Sequence, residues 1–160
     1  MIANCSNLNA FEECLILKPR NLSKLNEKVS IFDSDAVINV EYHLGDDKTN
    51  VINRTIDEFY NYKKILLLNL DGKIYNSEFI EEILINEHLS DINSILGIIT
   101  SSNKRPDIII FSNFDSIKNN HFDKSTGELE IKKLLHQLSI ELNIPIILFK
   151  QKSQLENENT

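Results

Sequence analysis

The chain has 160 residues, 41% of them hydrophobic and 26% charged, with a formal charge of −7 at pH 7. That is one domain's length with enough apolar content to bury a core, which excludes wholesale disorder. No apolar run approaches the roughly 20 residues of a membrane-spanning helix, and the net acidity argues against a protein that grips nucleic acid by its whole surface, although an acidic subunit can lend a local basic patch to an assembly.

Met1 to Asn9 lacks the basic start and long apolar stretch of a secretory signal, so the protein is not expected to be secreted. Cys5 and Cys14 therefore read as reduced thiols, and no Cys/His spacing suggests zinc or another metal. Residues 1–20 read as an N-terminal extension, 21–151 as the core domain and 152–160 as a flexible tail without apolar pattern.

Val37 to Tyr42 alternates and is rich in β-formers, which predicts a strand. A loop, His43 to Thr49, leads into a helix from Asn50 to about Tyr62, with Ile52, Ile56 and Phe59 at helical spacing. The apolar run Lys64 to Leu70 suits a strand buried on both faces, and Asp71-Gly72 ends it. Ser77 to about Asn86 reads as a helix with Phe79, Ile80, Ile83 and Leu84 on one face, and Asp91 to Ile98 as a shorter one. Pro106 to Phe111 is another buried strand. After a polar loop from Lys118 to Gly127, Ser125-Thr126-Gly127-Glu128 has the capping-box spacing. The helix it opens carries Ile131, Leu134, Leu135, Leu138 and Leu142, and Asn143 and Pro145 stop it. Ile144 to Phe149 is the last buried strand. Apolar strands alternating with amphipathic helices predict an α/β domain, a mostly parallel central sheet flanked by helices. The loops after its strands then share the edge where such sheets bind ligands.

Four segments on that edge carry chemistry. Lys48-Thr49, directly before a helix, occupy the last two places of a phosphate loop, where a lysine neutralises phosphate and a hydroxyl holds magnesium. The two glycine places of that motif hold Tyr42 and Asp47, and Asp46 and Asp47 would set carboxylates beside a polyphosphate. Asp71, at the end of the second strand, is placed to orient an attacking water, or simply to turn the chain. Ser112 stands where a magnesium-holding strand of a nucleotide hydrolase would end in a carboxylate, and Asp115, three residues on, should point elsewhere. The loop with Lys118, Asn119, Asn120, His121, Phe122 and Lys124 mixes cations, amides and an aromatic, a composition suited to DNA contact or to plain solvation.

Taken together these pieces resemble the ATPase core of the RecA superfamily, with its P-loop NTPase-like fold, and in particular the eukaryotic strand-exchange recombinases and their paralogues, over roughly Leu22 to Gln151. Leu22 to Asn26 resembles the family's segment before its first core strand, and Asp35 to Thr49 its strand plus phosphate loop. Leu68 to Ile74 resembles the strand end that carries the family's catalytic Glu, here Asp71. Ile108 to Asn113 resembles the second nucleotide motif, with Ser112 in place of Asp. Gly127-Glu128-Leu129 and the helix and strand that follow to Gln151 resemble the family's G-E-L, helix and strand ending in N-Q. The segments that would follow Gln151 in the family do not match, so the resemblance implies a truncated core.

What it implies is a non-catalytic, non-enzymatic paralogue with Lys48, Thr49 and Asp71 as a degenerate nucleotide-loop remnant, similar to subunits of Shu-type recombination complexes. No cofactor is expected, ATP included. The partner would be a recombinase or a further paralogue in a heteromer, because a sheet with a missing edge needs cover. In that family the loop matching Lys118 to Lys124 approaches DNA, and location would be nuclear in a eukaryote, cytoplasmic otherwise. Two other functions stand beside it: a nucleotide-binding switch that keeps ATP at Lys48-Thr49, and a receiver-like signalling module, which an interior strand at Val37 to Tyr42 would exclude.

Overall fold

A computed structural model of the chain describes residues 2–5, 7, 8, 11, 37–61, 64–86, 88–101, 105–118 and 124–152. They form β1 (Ile2–Cys5), β2 (Val37–Tyr42), α1 (Lys48–Phe59), β3 (Ile65–Asn69), β4 (Glu81–Leu84), α2 (Ile92–Ser101), β5 (Ile108–Phe111), α3 (Lys124–Leu142) and β6 (Ile146–Gln151), with 3₁₀ turns at Ser77–Phe79 and Phe114–Ser116. The six strands make one sheet in the order β1-β2-β6-β5-β3-β4, and every pairing in it is parallel.

The strands of the sheet's interior are apolar almost throughout because both faces are covered. Alternate residues serve two cores. On one side Ile38, Val40, Leu67, Ile110 and Phe149 pack with Val51, Ile52, Ile56 and Phe59 of α1. On the other Leu66, Leu68, Ile109, Phe111 and Leu148 pack with Ile92, Ile95 and Ile99 of α2 and Ile131, Leu135 and Leu138 of α3. The α/β class, the parallel sheet and the flanking helices expected from the sequence are all present. α3 ends as anticipated: Asn143 takes the left-handed conformation (φ 56°), the Ile144 amide reaches back to the Ser139 carbonyl at 3.1 Å, and the Arg105 guanidinium donates to the Leu142 carbonyl.

Three local expectations need correction. The helix from Ser77 to about Asn86 does not form; a 3₁₀ turn leads instead into β4, which pairs with β3 in the register Leu66↔Glu81 to Asn69↔Leu84. A helix here would gather Ile80 and Ile83 on one face. In the extended chain Ile80 packs against the first core and Ile83 against the second, and three isoleucines in six residues favour the pleat. Secondly, α3 starts at Lys124, so Ser125 lies inside the first turn rather than at its cap. The Glu128 carboxylate is engaged elsewhere, 2.6 Å from Lys150 and 3.4 Å from Lys132. Thirdly, Ile2–Cys5, read with the N-terminal extension, joins the sheet beside β2, and Phe11 is buried edge-to-face on Phe149.

Candidate functional site

Because all strands run the same way, the loops after β2, β3, β5 and β6 open on one edge, and the sequence's separate nucleotide-like segments meet there. The loop after β2 turns on Gly45, the residue with positive φ (98°); Asp47, at a glycine place of the phosphate-loop pattern, sits at φ −84°. Asp47 caps α1 by accepting the Asn50 amide at 3.1 Å. Asp46 accepts the His43 amide at 2.8 Å. The amides that a phosphate would draw to itself at such a helix start are thus partly engaged by the chain's own carboxylates.

Lys48, the first residue of α1, is 8% exposed. Its Nζ lies 2.5 Å from Asp71 Oδ2 and 5.2 Å from the centre of the Tyr42 ring, a cation–π distance. The Tyr75 hydroxyl donates to the same carboxylate, 2.9 Å from Oδ2 and 3.2 Å from Oδ1, and the Lys73 amide donates to Oδ1 at 3.1 Å. Burial alone would raise the Asp71 pKa, but the Lys48 hydrogen bond, the Lys73 amide, the attraction of the Lys48 charge and the Tyr75 hydroxyl outweigh it and hold the carboxyl below its ordinary range.

Asp71 is presented by Asn69, the buried last residue of β3. Its Oδ1 accepts the amides of Asp71 (3.3 Å) and Gly72 (3.0 Å), while its Nδ2 donates to the Lys73 carbonyl at 2.9 Å and to Glu82 of β4 at 2.8 Å. Gly72, at φ 69°, makes the turn possible.

Ser112, at the end of β5, is fully buried. Its Oγ accepts the Leu70 amide at 2.8 Å, binding the β3 turn to β5. Hydrogen bonds from Thr49 and Ser112 reach the Tyr75 phenol and lower its pKa, but burial and the Asp71 charge prevail and push it well above 10. Burial, with repulsion from Asp115 and Asp71, pushes the Tyr42 phenol up to about 12. Asp115 accepts the Gln151 amide at 3.0 Å. At the neighbouring strand end, Glu128 of the G-E-L segment meets Lys150 of β6.

The structure therefore brings Lys48, Thr49 and Asp71 together. Three side chains complete the cluster: Tyr42, which the sequence marks only as the residue in a glycine place, and Asn69 and Tyr75, to which it gives no role; an Asn closing an apolar strand two residues before Asp71-Gly72 was the available signal for one of them. Of the basic loop, Lys118 is exposed and bridges by its backbone to Asp91. Asn119, Asn120 and His121 lie outside the described residues, as does the Lys124 side chain. Beside the β2 loop lies an open polar hollow of about 380 Å³ lined by Asn7, Leu8, His43, Asp46, Asp47, Asn50 and Val51. Among the described residues no group of three or more His, Cys, Asp or Glu is placed to hold a metal ion, and no helix is long and apolar enough to cross a membrane. No protein-family model matches the chain, and no curated protein matches its sequence significantly.

Proposed function

We propose that this protein is a non-catalytic subunit of a DNA recombination or repair complex, a recombinase paralogue with a RecA-like core that acts through protein contacts on the assembly of a recombinase filament. The observation that carries the proposal is the Lys48–Asp71 pair. A nucleotide hydrolase keeps its loop lysine free for the β- and γ-phosphates and its strand-end carboxylate free for water or metal. Here each of the two groups neutralises the other at 2.5 Å, and Ser112 supplies no charge for magnesium.

Two further features support the same scaffold. The strand before the Lys48 loop is interior, paired with β1 on one side and β6 on the other, a place that disfavours a receiver-like module. Of the segments likened to family motifs, Val37 to Thr49, Leu68 to Ile74, Ile108 to Asn113 and the strand ending at Gln151 meet at one edge of one parallel sheet; Leu22 to Asn26 lies outside the described residues. A DNA contact, in this proposal, belongs to the loop from Lys118 to Lys124.

The test has two arms. Purified protein is assayed for ATP hydrolysis beside Lys48→Ala, and complexes are purified from the protein's own cells. The proposal expects no Lys48-dependent hydrolysis and co-purification of a recombinase or recombinase paralogue. Lys48-dependent turnover, or a reproducible complex without any recombination protein, overturns it.

A further inference from the structure

The chain's negative charge is unevenly placed. Residues 74–103 contain no Lys or Arg but five acids, Glu78, Glu81, Glu82, Glu87 and Asp91, so this stretch carries −5 of the formal −7. The fold sets three of them at one border of the sheet. β4 is the terminal strand, hydrogen-bonded to β3 on its inner side; among the described residues no strand lies beyond it, so the outward amides and carbonyls of Glu81–Leu84 form an open ladder.

Glu81 is exposed, and Glu78 is exposed on the turn just before it; no cation among the described residues pairs with either. Glu82 is half-buried with one oxygen on Asn69. Two large apolar side chains of the same stretch are exposed: Leu84, which ends β4, at 67%, and Ile74 in the loop after β3, at 88%.

An edge with these properties selects its partner. Pairing with β4 of a second copy would set glutamates of both strands against each other, which like-charge repulsion disfavours. A strand of opposite charge meets no such penalty. Its backbone would complete the ladder, its cations would face Glu78 and Glu81, and its apolar residues would cover Leu84.

We propose that the β4 edge is a docking site for an extended, basic segment of a partner protein, one that alternates Lys or Arg with apolar residues and adds to the sheet as a seventh strand. The inference gives a place and a chemistry to the protein contacts of the proposed function and rests on that reading only for the existence of a partner.

The experiment uses the full chain and a capped synthetic peptide, Lys-Val-Lys-Val-Lys-Val, with Glu-Val-Glu-Val-Glu-Val as control. Binding is followed by fluorescence anisotropy at low and high salt and by amide hydrogen exchange. The basic peptide is expected to bind below about 1 mM and to slow exchange at residues 81–84. The double variant Glu78→Lys/Glu81→Lys, which changes two exposed side chains, should weaken it about tenfold, as should raising salt to about 0.5 M.

Several outcomes overturn the proposal: no binding, equal binding of the acidic peptide, protection away from β4, or indifference to the charge reversal. So do two results on the free chain. Slow exchange of the outward-facing amides of β4 before peptide is added means that the chain covers its own edge, and protection of those amides that grows with protein concentration means that a second copy does. Lys48-dependent ATP hydrolysis would remove the proposed function while leaving the peptide result untouched, so the two failures are distinguishable.

Discussion

A lysine reserved for a ligand can be removed at little structural cost; a lysine that neutralises a buried carboxylate cannot. Replacing Lys48 by Met keeps the aliphatic stem and deletes the charge. The side chains of the pair are 9% and 10% exposed, so the ions are largely withdrawn from water. At 2.5 Å and an effective dielectric near 20, their gross attraction is about 6 to 7 kcal/mol, most of which offsets desolvation. Breaking such a pair from one side costs about 3 to 5 kcal/mol when the survivor is stranded. The survivors differ here. After Lys48→Met, Asp71 keeps the Tyr75 hydroxyl and the Lys73 amide, so the expected loss is about 2 to 3 kcal/mol. After Asp71→Leu, the ammonium keeps the face of Tyr42, and the expected loss is about 3 to 4 kcal/mol. The double variant Lys48→Met/Asp71→Leu strands nothing and should lie within about 1 kcal/mol of the wild type. Urea unfolding of the four proteins gives the coupling energy directly. Losses below about 1 kcal/mol for both single variants, or simple additivity in the double one, would show that the lysine is not committed to Asp71 and would remove the basis for reading the site as filled.

Three further outcomes are expected. Tyr42, raised to about 12, favours its protonated form when folded, as does Tyr75; their contribution is complete below pH 10 and fades as pH rises towards the folded value, so the melting temperature should drop between pH 10 and 12, less so in Tyr42→Phe, and an unchanged drop in that variant contradicts the assignment. Gly97 lies on the exposed side of α2 with open space around it, so Gly97→Ala should raise stability by about 0.5 to 1 kcal/mol, whereas Gly45→Ala, equally uncrowded but at φ 98°, should lower it by about 1 kcal/mol or more through backbone strain alone; calorimetry of the two variants reads the contrast in sign. Deleting the carboxylate in Asp71→Ala should create a response absent from the wild type, a rise in melting temperature with millimolar pyrophosphate that disappears in Lys48→Ala/Asp71→Ala.

The parts of the fold visible in sequence are those whose pattern has one physical solution. Leu66-Leu67-Leu68 and Ile108-Ile109-Ile110 are too short and too uniformly apolar for a surface helix, and they are the buried middle of the sheet. α3 announces its end through Asn143 and Pro145 because few residues accept φ 56° and none but proline lacks an amide. β4 was illegible for the converse reason. Ile80, Ile83 and Leu84 satisfy the helical period, and their true partner is β3, whose closeness no local pattern reveals. β1 is four residues with an Asn among them, stabilised by pairing with a strand more than thirty positions away. The same division holds at the site. A parallel sheet obliges Lys48 and Asp71 to share an edge, so their meeting followed from topology. Tyr75 arrives from a loop whose course is set by the Asn69 turn, and no spacing rule fixes that.

The energetic cost of opening the site explains why filling it with side chains is decisive even though every loop lysine could in principle swing to a phosphate. A ligand that needs Lys48 free binds only the fraction of molecules in which the Asp71 contact is broken, and its apparent affinity falls by that fraction. If breaking the contact costs the roughly 2 to 3 kcal/mol worked out above for stranding Asp71, the open fraction is about one in 30 to one in 160, so a micromolar intrinsic affinity becomes about 30 to 160 micromolar. The loop adds to the barrier, because Asp46 and Asp47 hold the amides of His43 and Asn50 and would repel the same phosphate. Nucleotide use by such a loop would require at least the removal of Asp71's charge and a glycine at position 47. The existing arrangement, by contrast, ties β3, β5 and α1 together through Asp71, Tyr75 and Ser112, so the groups a phosphate would need are the ones that join the strand ends to the helix start.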